Sequence, residues 1–289
     1  MRSGYRSDGG PMRKQRLDTL LAERGLFPSR TRAAASVMAG EVCVGPERRR
    51  AQKPGEMVAC DAPVSVAERA RFVSRGGIKL ENALAGTGVA VQGRRALDIG
   101  ASTGGFTDCL LQRGATEVLA VDVGYGELAY SLRIDPRVRT LERTNARHLT
   151  AELVVQALGP TLPDLAVIDV SFISLRKVLP AVLGCLSEPC EVLALVKPQF
   201  EVGRARVGSG GVVRDPADRR SALVAVGLAA RELGAAVRGF CSSGLPGPKG
   251  NRETFLWLTR GVDPDRAGED AVGAVLDEDV ERMAREVEP

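Results

Sequence analysis

The chain has a single histidine, no closely spaced cysteine pair and no long apolar run. His148 is the only histidine among 289 residues, so chemistry that needs two histidines, as metal ligands or as a base with a partner, is excluded within one chain. The six cysteines form no Cys-x-x-Cys pair, which argues against a zinc site and favours reduced thiols. No segment approaches the ~18–20 apolar residues of a membrane span, and the first residues lack the apolar core of a signal peptide. These absences predict a cytoplasmic protein that binds no metal and no membrane.

Charge is distributed unevenly along the chain. Residues 1–60 contain twelve Lys and Arg against six Asp and Glu, which is +6, whereas residues 263–289 contain three against ten, which is −7. A basic segment favours a polyanionic partner. Residues 1–15 offer almost nothing to bury and are interpreted as a flexible basic arm, and residues 263–289 as an acidic C-terminal tail, solvated or helical.

Residues 16–62 have the pattern of a small domain with two helices and a short β ribbon. The leucines from Leu17 onward have helical spacing, Ser29 is a favourable N-cap for a second helix over residues 30–39, and Val42 begins a strand. So small a core leaves most Arg and Lys side chains exposed. They form either a surface for a polyanion or a solvated basic face, which is the usual meaning of such runs.

This segment resembles the S4 RNA-binding fold of ribosomal and rRNA-modifying proteins. The resemblance rests on Arg16-Leu17-Asp18, on Ser29-Arg30 and on Lys53-Pro54-Gly55. It implies that structured RNA is recognised by shape, through phosphate contacts. The candidate RNA-binding residues are Arg16, Arg24, Ser29, Arg30, Arg32 and Lys53.

After a polar linker at 63–73, residues 74–262 alternate between strand and helix patterns. Strands are predicted near 95–99, 117–122, 138–142, 164–169, 191–196, 236–241 and 254–259, and helices near 105–113, 126–132, 151–158, 174–186 and 217–233. This alternation predicts a Rossmann-like α/β fold with seven strands, mostly parallel, and a ligand at the carboxyl ends of the strands. The last two strands are joined by a glycine- and proline-rich loop, so the last strand is expected to be antiparallel.

A glycine turn follows the first of these strands. Gly100 to Phe106 can bring backbone N–H groups close to a ligand, and Asp122 ends the next strand about 20 residues later, where an acid binds ribose hydroxyls. The G-x-G-x-x-G fingerprint of dinucleotide sites is not met, because Ser102 replaces its middle glycine. With Asp98 ahead of the turn, S-adenosylmethionine fits better than NAD, the alternative being an ordinary glycine-rich turn. The candidate cofactor-binding residues are Asp98, Gly100, Ser102, Thr103, Gly104, Gly105, Phe106, Asp122 and, as a weaker candidate, Asn145.

Four charged residues lie at the ends of separate elements. Asp169 and Lys197 end the fourth and fifth strands, Glu253 begins the seventh, and Lys79 lies in the first turn of a helix that Ser74 can cap. Each alone is more often a surface or salt-bridge residue. Together they suit a hydroxyl acceptor, because a ribose 2′-OH is a poor nucleophile whose proton must be taken or oriented.

These four candidate catalytic residues resemble the Lys-Asp-Lys-Glu tetrad of the FtsJ-like RNA ribose 2′-O-methyltransferases. With the S4-like start, residues 16–260 resemble the TlyA family, also labelled hemolysin A. The resemblance implies methylation of a cytidine 2′-OH in ribosomal RNA, either free or in a ribosomal subunit. It rests on Arg75-Gly76-Gly77-x-Lys79-Leu80, Asp169-Val170-Ser171-Phe172-Ile173-Ser174-Leu175, Lys197-Pro198-Gln199-Phe200-Glu201 and Gly250-Asn251-x-Glu253.

Two other functions compete with this interpretation. A membrane-lytic hemolysin is physically weak, because the chain has no apolar segment or amphipathic hairpin array. A non-enzymatic S4-type ribosome-binding factor is at odds with an intact glycine turn and tetrad. One departure from the family is visible in the linker, where Ala70-Arg71-Phe72-Val73 stands in place of the Arg-x-Trp-Val of some members.

Overall fold

The structure is a computed structural model that describes residues 13–66, 71–261 and 277–289. The chain divides into two compact units, Met1–Ala70 and Arg71–Pro289. Residues 1–12 of the predicted basic arm and residues 263–276 of the predicted acidic tail lie outside the described residues.

The first unit packs two helices against two small antiparallel sheets. One sheet pairs β1 with β4, and the other places β2 between β3 and β5. The helices close over a core that includes Leu17, Leu21, Ala33 and Val42. The elements are β1 (Lys14–Arg16), α1 (Leu17–Glu23), α2 (Arg30–Met38), β2 (Val42–Val44), β3 (Arg49–Arg50), β4 (Met57–Ala59) and β5 (Val64–Val66).

Three short strands of this unit were not predicted, and one of them is Arg49–Arg50, which pairs with β2. Lys14–Arg16, placed partly in the basic arm, pairs with β4, and Val64–Val66, placed in the linker 63–73, pairs with β2. Three-residue strands are stabilised by backbone hydrogen bonds to a neighbour and carry too few side chains for a periodic pattern. The N-cap at Ser29 is confirmed, because its hydroxyl accepts a hydrogen bond from the Arg32 N–H at 3.2 Å.

The second unit is a seven-stranded sheet with helices on both faces. The strand order is β11-β12-β10-β9-β6-β7-β8, and β12 runs in the direction opposite to the other six strands of this sheet. The predicted Rossmann-like sheet is therefore confirmed. Its elements are α3 (Arg75–Thr87), β6 (Arg95–Ile99), α4 (Gly105–Gln112), β7 (Glu117–Val121), α5 (Tyr130–Arg133), β8 (Val138–Leu141), α6 (Ala151–Leu158), β9 (Leu165–Ile168), α7 (Leu179–Leu183), β10 (Cys190–Val196), α8 (Pro216–Glu232), β11 (Ala236–Ser242), β12 (Thr254–Arg260) and α9 (Asp277–Val287), with 3-10 turns at Ala146–His148, Leu175–Lys177, Pro198–Phe200, Arg204–Arg206 and Ser209–Gly211.

Two predicted helices are shorter than expected. The helix predicted at 126–132 is only Tyr130–Arg133, because Gly126 has a left-handed φ of +75° and its N–H binds the Glu142 carboxylate. The helix predicted at 174–186 is divided into a 3-10 turn and α7, where Pro180 removes a backbone donor at the start of the second segment.

Successive residues of each central strand point to opposite faces of the sheet. Leu97 and Ile99 join one core, whereas Ala96 joins the other. The C-terminal helix α9 covers part of the first core by burying Val280 and Ala284 against α8 and β11. Both faces are thus covered, and the carboxyl edge of the strands carries the loops.

At the start of this unit, Phe72 lies in the linker position that differs from some family members. It is 4% exposed, and a Cβ on Gly77 would lie 2.2 Å from its ring. The Phe72 ring, which is smaller than the tryptophan of those members, is therefore packed against the first turn of α3. No helix within the described residues is both long enough and apolar enough to cross a membrane.

Candidate active site

The four candidate catalytic residues form two ion pairs. Lys197 Nζ lies 2.5 Å from Asp169 Oδ1, and Lys79 Nζ pairs with Glu253 Oε2. Lys79, Lys197 and Glu253 are 7%, 9% and 2% exposed. Buried charges of this kind are tolerated only when they are paired. The structure therefore brings these four sequence-distant residues into the expected neighbourhood.

The order of the strands explains this arrangement. Asp169 and Lys197 directly follow β9 and β10, which are parallel neighbours. Glu253 directly precedes β12, whose first residue is paired with the last residue of β10. Lys79 comes from α3, which Ser74 caps by accepting a hydrogen bond from the Gly76 N–H at 3.3 Å.

Two cavities meet at this edge of the sheet. A cavity of about 770 Å³ and a smaller one of about 230 Å³ share Gly100, Ser102 and Asp169 in their walls. The larger is also lined by Asp122 and Asn145. The smaller is also lined by Ser74, Gly76, Lys79, Thr103, Gly105 and Phe106. Its Phe106 ring is buried against Phe255, with centroids 5.8 Å apart.

The glycine turn lies directly against the strand that carries Asp169. Gly100 has a φ of +84°, and a Cβ at this position would lie 2.5 Å from the Asp169 carbonyl oxygen. Only glycine fits such an approach. The turn ends at Gly104, the N-cap of α4, so the N-terminus of this helix is at the cavity.

Asp122 connects two backbone segments at the larger cavity. Its Oδ2 accepts a hydrogen bond from the Ser102 N–H and its Oδ1 accepts one from the Gly124 N–H, both at 2.7 Å. A carboxylate has further lone pairs, which can accept from ligand hydroxyls. Asn145 Oδ1 accepts a hydrogen bond from the Arg147 N–H at 3.1 Å, so part of this side chain is used within its own turn.

Asp98 occupies a different position from the other cofactor candidates. It is fully buried, and Thr107 Oγ1 donates a hydrogen bond to its Oδ2 at 2.6 Å. Burial raises the pKa of Asp98 to about 7; the Thr107 hydrogen bond opposes this, and the nearby Asp169 charge adds to it. Its contact is with α4 beneath the turn.

Aromatic residues beside the ion pairs were quoted in the sequence motifs but not assigned a role. Phe172 is 91% exposed and has a left-handed φ of +63°, and its ring centroid lies 5.3 Å from that of Phe200. Ser171 Oγ accepts a hydrogen bond from Lys197 Nζ at 2.9 Å. Apolar periodicity cannot show that an aromatic side chain in a loop faces solvent.

Two loops that contain no acidic residues lie next to Glu253. Asn251 is 2% exposed, and its side chain accepts from the Val213 N–H at 2.9 Å and donates to the Gly211 carbonyl at 2.8 Å. This side chain joins the segments 202–214 and 244–252, which contain no Asp or Glu. Their exposed cations include Arg204, Arg214 and Lys249.

In the first unit, some candidate RNA-binding residues have partners within the fold. Arg16 makes a two-pronged contact with the buried Asp18 at 2.7 and 3.1 Å, and Arg30 lies 3.5 Å from the same carboxylate. The Arg16 hydrogen bond holds the pKa of Asp18 below its ordinary value. Arg24 donates to the backbone carbonyls of Cys60 and Ala62, which gives it a structural role.

Of the three remaining RNA-binding candidates, one has a structural role and two are exposed. Ser29 caps α2. Arg32 and Lys53 are exposed, and their side chains make no hydrogen bond or ion pair in the part of the chain that the structure describes. Among the six candidates, these two are the most available to a polyanion. Within the described ranges, no group of three or more His, Cys, Asp and Glu is placed to hold a metal ion.

Comparison with known proteins matches a different family to each of the two units of the chain. The FtsJ-like methyltransferase family matches residues 72–260, and the S4 domain matches residues 15–58. The 16S/23S rRNA (cytidine-2'-O)-methyltransferase TlyA of Mycobacterium tuberculosis is 50% identical over 272 residues, covering 92% of this chain and 98% of that protein. This chain belongs to the TlyA family. The resemblance identified from the motifs is thereby confirmed.

Other relatives share this organisation under a different label. Hemolysin A of Brachyspira hyodysenteriae is 38% identical over 208 residues, covering 72% of this chain and 84% of that protein. A solved structure of a hemolysin candidate from Streptococcus thermophilus is 39% identical with a TM-score of 0.67, covering 95% of this chain and 96% of that one.

Proposed function

We propose that this protein transfers a methyl group from S-adenosylmethionine to the ribose 2′-OH of a cytidine in ribosomal RNA. The observation that carries the proposal is the Lys197–Asp169 ion pair, which lies at the cavity edge beside the buried Lys79–Glu253 pair. An S4 domain precedes this site. The relative from Mycobacterium tuberculosis carries the same activity in its name.

The donor set suits S-adenosylmethionine. Asp122 would accept from the ribose hydroxyls in the larger cavity, and Gly100 leaves the turn open to close approach. Two carboxylates, Asp122 and Asp169, line this cavity and would favour a ligand of positive charge. When bound, this cofactor supplies an electrophilic methyl group on a cationic sulfur.

Lys197 is the proposed general base. In its neutral form, Nζ takes the proton of the ribose hydroxyl, and the resulting ammonium is stabilised by Asp169 and by Ser171 Oγ. Arginine cannot replace it, because a guanidinium does not give up its proton near neutral pH. Lys79, which is paired with Glu253, would position the ribose of the target cytidine.

Phe172 would hold the nucleobase of the target. A ring that is 91% exposed beside the catalytic pair offers a stacking surface, and stacking of a base on an aromatic side chain is worth about 1–3 kcal/mol. The exposed cations Arg204, Arg214 and Lys249 would contact the neighbouring phosphates.

The test is methyl transfer to ribosomal RNA from a strain that lacks this protein. Free 16S and 23S RNA and both assembled subunits serve as substrates, and 2′-O-methyls are mapped in the products. Lys197→Ala and Lys197→Arg should both abolish transfer and leave S-adenosylmethionine affinity, measured by calorimetry, near wild type. Arg139→Ala, at an exposed position of the edge strand β8, is the control and should be fully active.

Two results would overturn the proposal. Absence of S-adenosylmethionine binding would favour a non-enzymatic ribosome-binding factor, and lysis of cells by the purified protein in RNA-free buffer would favour a hemolysin. A near wild-type rate for Lys197→Arg would show that position 197 supplies only a charge.

A further inference from the structure

Glu201 is a buried carboxylate to which the proposed mechanism assigns no role. It is 8% exposed. Its Oε2 accepts a hydrogen bond from Ser174 Oγ at 2.6 Å, and its Oε1 accepts one from the Leu175 N–H at 2.7 Å. Arg176 Nε lies 3.6 Å from Oε2 and is the nearby counter-charge.

These bonds connect the loops after two neighbouring strands. Glu201 lies four residues after Lys197, beyond β10, whereas Ser174 and Leu175 lie beyond β9. We call residues 169–175 the acceptor loop. Glu201 therefore joins the loop that carries Asp169 to the segment that begins with the proposed base.

The acceptor loop is consequently fixed at both ends. At its start, the Asp169 N–H donates to the Ile99 carbonyl at 2.8 Å, and at its end Glu201 holds Ser174 and Leu175. Only residues 170–173 lie between these anchors. They include Ser171, which contacts Lys197.

Within this short span, Phe172 has a left-handed φ of +63°. Such a conformation is unfavourable for a bulky side chain and persists only where the surrounding structure holds both sides of it. Release of one end would let the residue return to an extended or helical conformation. The exposed ring and the neighbouring Ser171 hydroxyl would then both move.

The burial of Glu201 has a cost. Burial raises the pKa of its carboxyl above the ordinary value, while the hydrogen bonds from Ser174 and the Leu175 N–H act in the opposite direction. An apolar side chain at this position would avoid the cost of burying a charge. The presence of a carboxylate therefore indicates that its hydrogen bonds to Ser174 and Leu175 serve to position the loop.

We propose that Glu201 is a positioning residue that clamps the acceptor loop, so that Ser171 and Phe172 keep their places relative to Lys197. The inference rests on the proposed function, because it concerns the alignment of the same base and acceptor. Glu201 acts through the loop and touches no substrate.

The test compares Glu201→Ala and Glu201→Gln with Glu191→Ala. Glu191 lies near the start of the same strand β10, where it binds Arg94 and the Trp257 indole at the opposite edge of the sheet. Glu201→Ala should lower kcat for methyl transfer at least tenfold, since small misplacements of reacting groups reduce rates steeply. Its affinity for S-adenosylmethionine should stay within about threefold.

The glutamine variant separates positioning from charge. Its amide oxygen can accept from the Leu175 N–H and its amide nitrogen can donate to Ser174 Oγ, so kcat should return to within about threefold of wild type. Glu191→Ala should lower Tm and leave kcat unchanged. If Glu201→Ala behaves like Glu191→Ala, losing Tm but keeping kcat, the inference is wrong.

A second measurement does not depend on methyl transfer. Phe172→Trp in a Trp257→Phe background reports acceptor-loop motion through the fluorescence anisotropy of a single indole. Adding Glu201→Ala should lower the anisotropy, whereas adding Glu201→Gln should not. An unchanged anisotropy would overturn the clamp even if the enzyme is active, and a lowered anisotropy in a chain that methylates no RNA would overturn the proposed function alone.

Discussion

Removal of the Asp122 carboxylate should weaken S-adenosylmethionine binding. In Asp122→Ala, the ribose hydroxyls lose a charged acceptor, and a hydrogen bond to a charged group contributes about 1.5–3 kcal/mol. Because about 1.4 kcal/mol corresponds to a factor of ten, Kd should rise by about ten- to a hundredfold. The Ser102 and Gly124 N–H groups also lose their acceptor, but both segments reach solvent, so Tm should change little.

Calorimetric titration of the purified protein measures this effect. Asp122→Asn keeps one acceptor oxygen and should show a smaller loss. S-adenosylhomocysteine should lose the same factor as S-adenosylmethionine in Asp122→Ala, because the ribose is common to both. Asp135→Ala, which removes a partly exposed carboxylate paired with Arg137, is the control. Affinities within threefold of wild type for Asp122→Ala would refute the assignment.

Three further predictions concern the RNA surface, the aromatic ring and the buried acid. Charge reversal at Arg32 and Lys53 should weaken rRNA binding and reduce the salt slope in filter-binding assays by about 0.7–0.9 per lost phosphate contact, and an unchanged slope would leave them as a solvated face. Phe172→Ala should raise KM for rRNA by about ten- to a hundredfold, from about 1–3 kcal/mol of stacking, without changing the calorimetric S-adenosylmethionine affinity. Asp98, with a folded pKa of about 7, keeps a proton that the unfolded chain has released above about pH 4, so folding stability due to this group falls as pH rises from about 4 to 7. In thermal melts, the Tm of Asp98→Asn relative to wild type should therefore rise across this range, and a pH-independent difference would contradict the assignment.

The central strands of the larger unit were predictable to within two residues because they are buried on both faces. Leu165–Ile168 and Cys190–Val196 are almost continuously apolar, and turns bound each run. The small unit was harder. Arg49–Arg50 and Lys14–Arg16 are strands only because a neighbour supplies backbone hydrogen bonds, and no local pattern encodes such pairing.

The catalytic candidates could be predicted from the sequence for a related reason. Asp169 and Lys197 end strands that the sequence identifies, and parallel strands deliver their carboxyl ends to one edge. Glu201 and Phe172 were not assignable, because their roles depend on the path of a loop. The sequence also did not show which basic residues have a structural role. Only the folded chain shows that Arg24 donates hydrogen bonds to the backbone carbonyls of Cys60 and Ala62.

The pairing of two lysines with two acids has an electrostatic reason. If Lys197 is neutral before the reaction, the four side chains sum to −1, which balances a cationic ligand in the adjoining cavity. When Nζ has taken the hydroxyl proton, the four sum to zero, and the ligand has lost its positive charge in the same reaction. The tetrad and the ligand together then carry no net charge at either stage, and an uncompensated charge beside the buried Lys79, Lys197 and Glu253 would be costly. A tetrad with only one acid would be balanced at neither stage, which accounts for a carboxylate as deeply buried as Glu253 at 2% exposure.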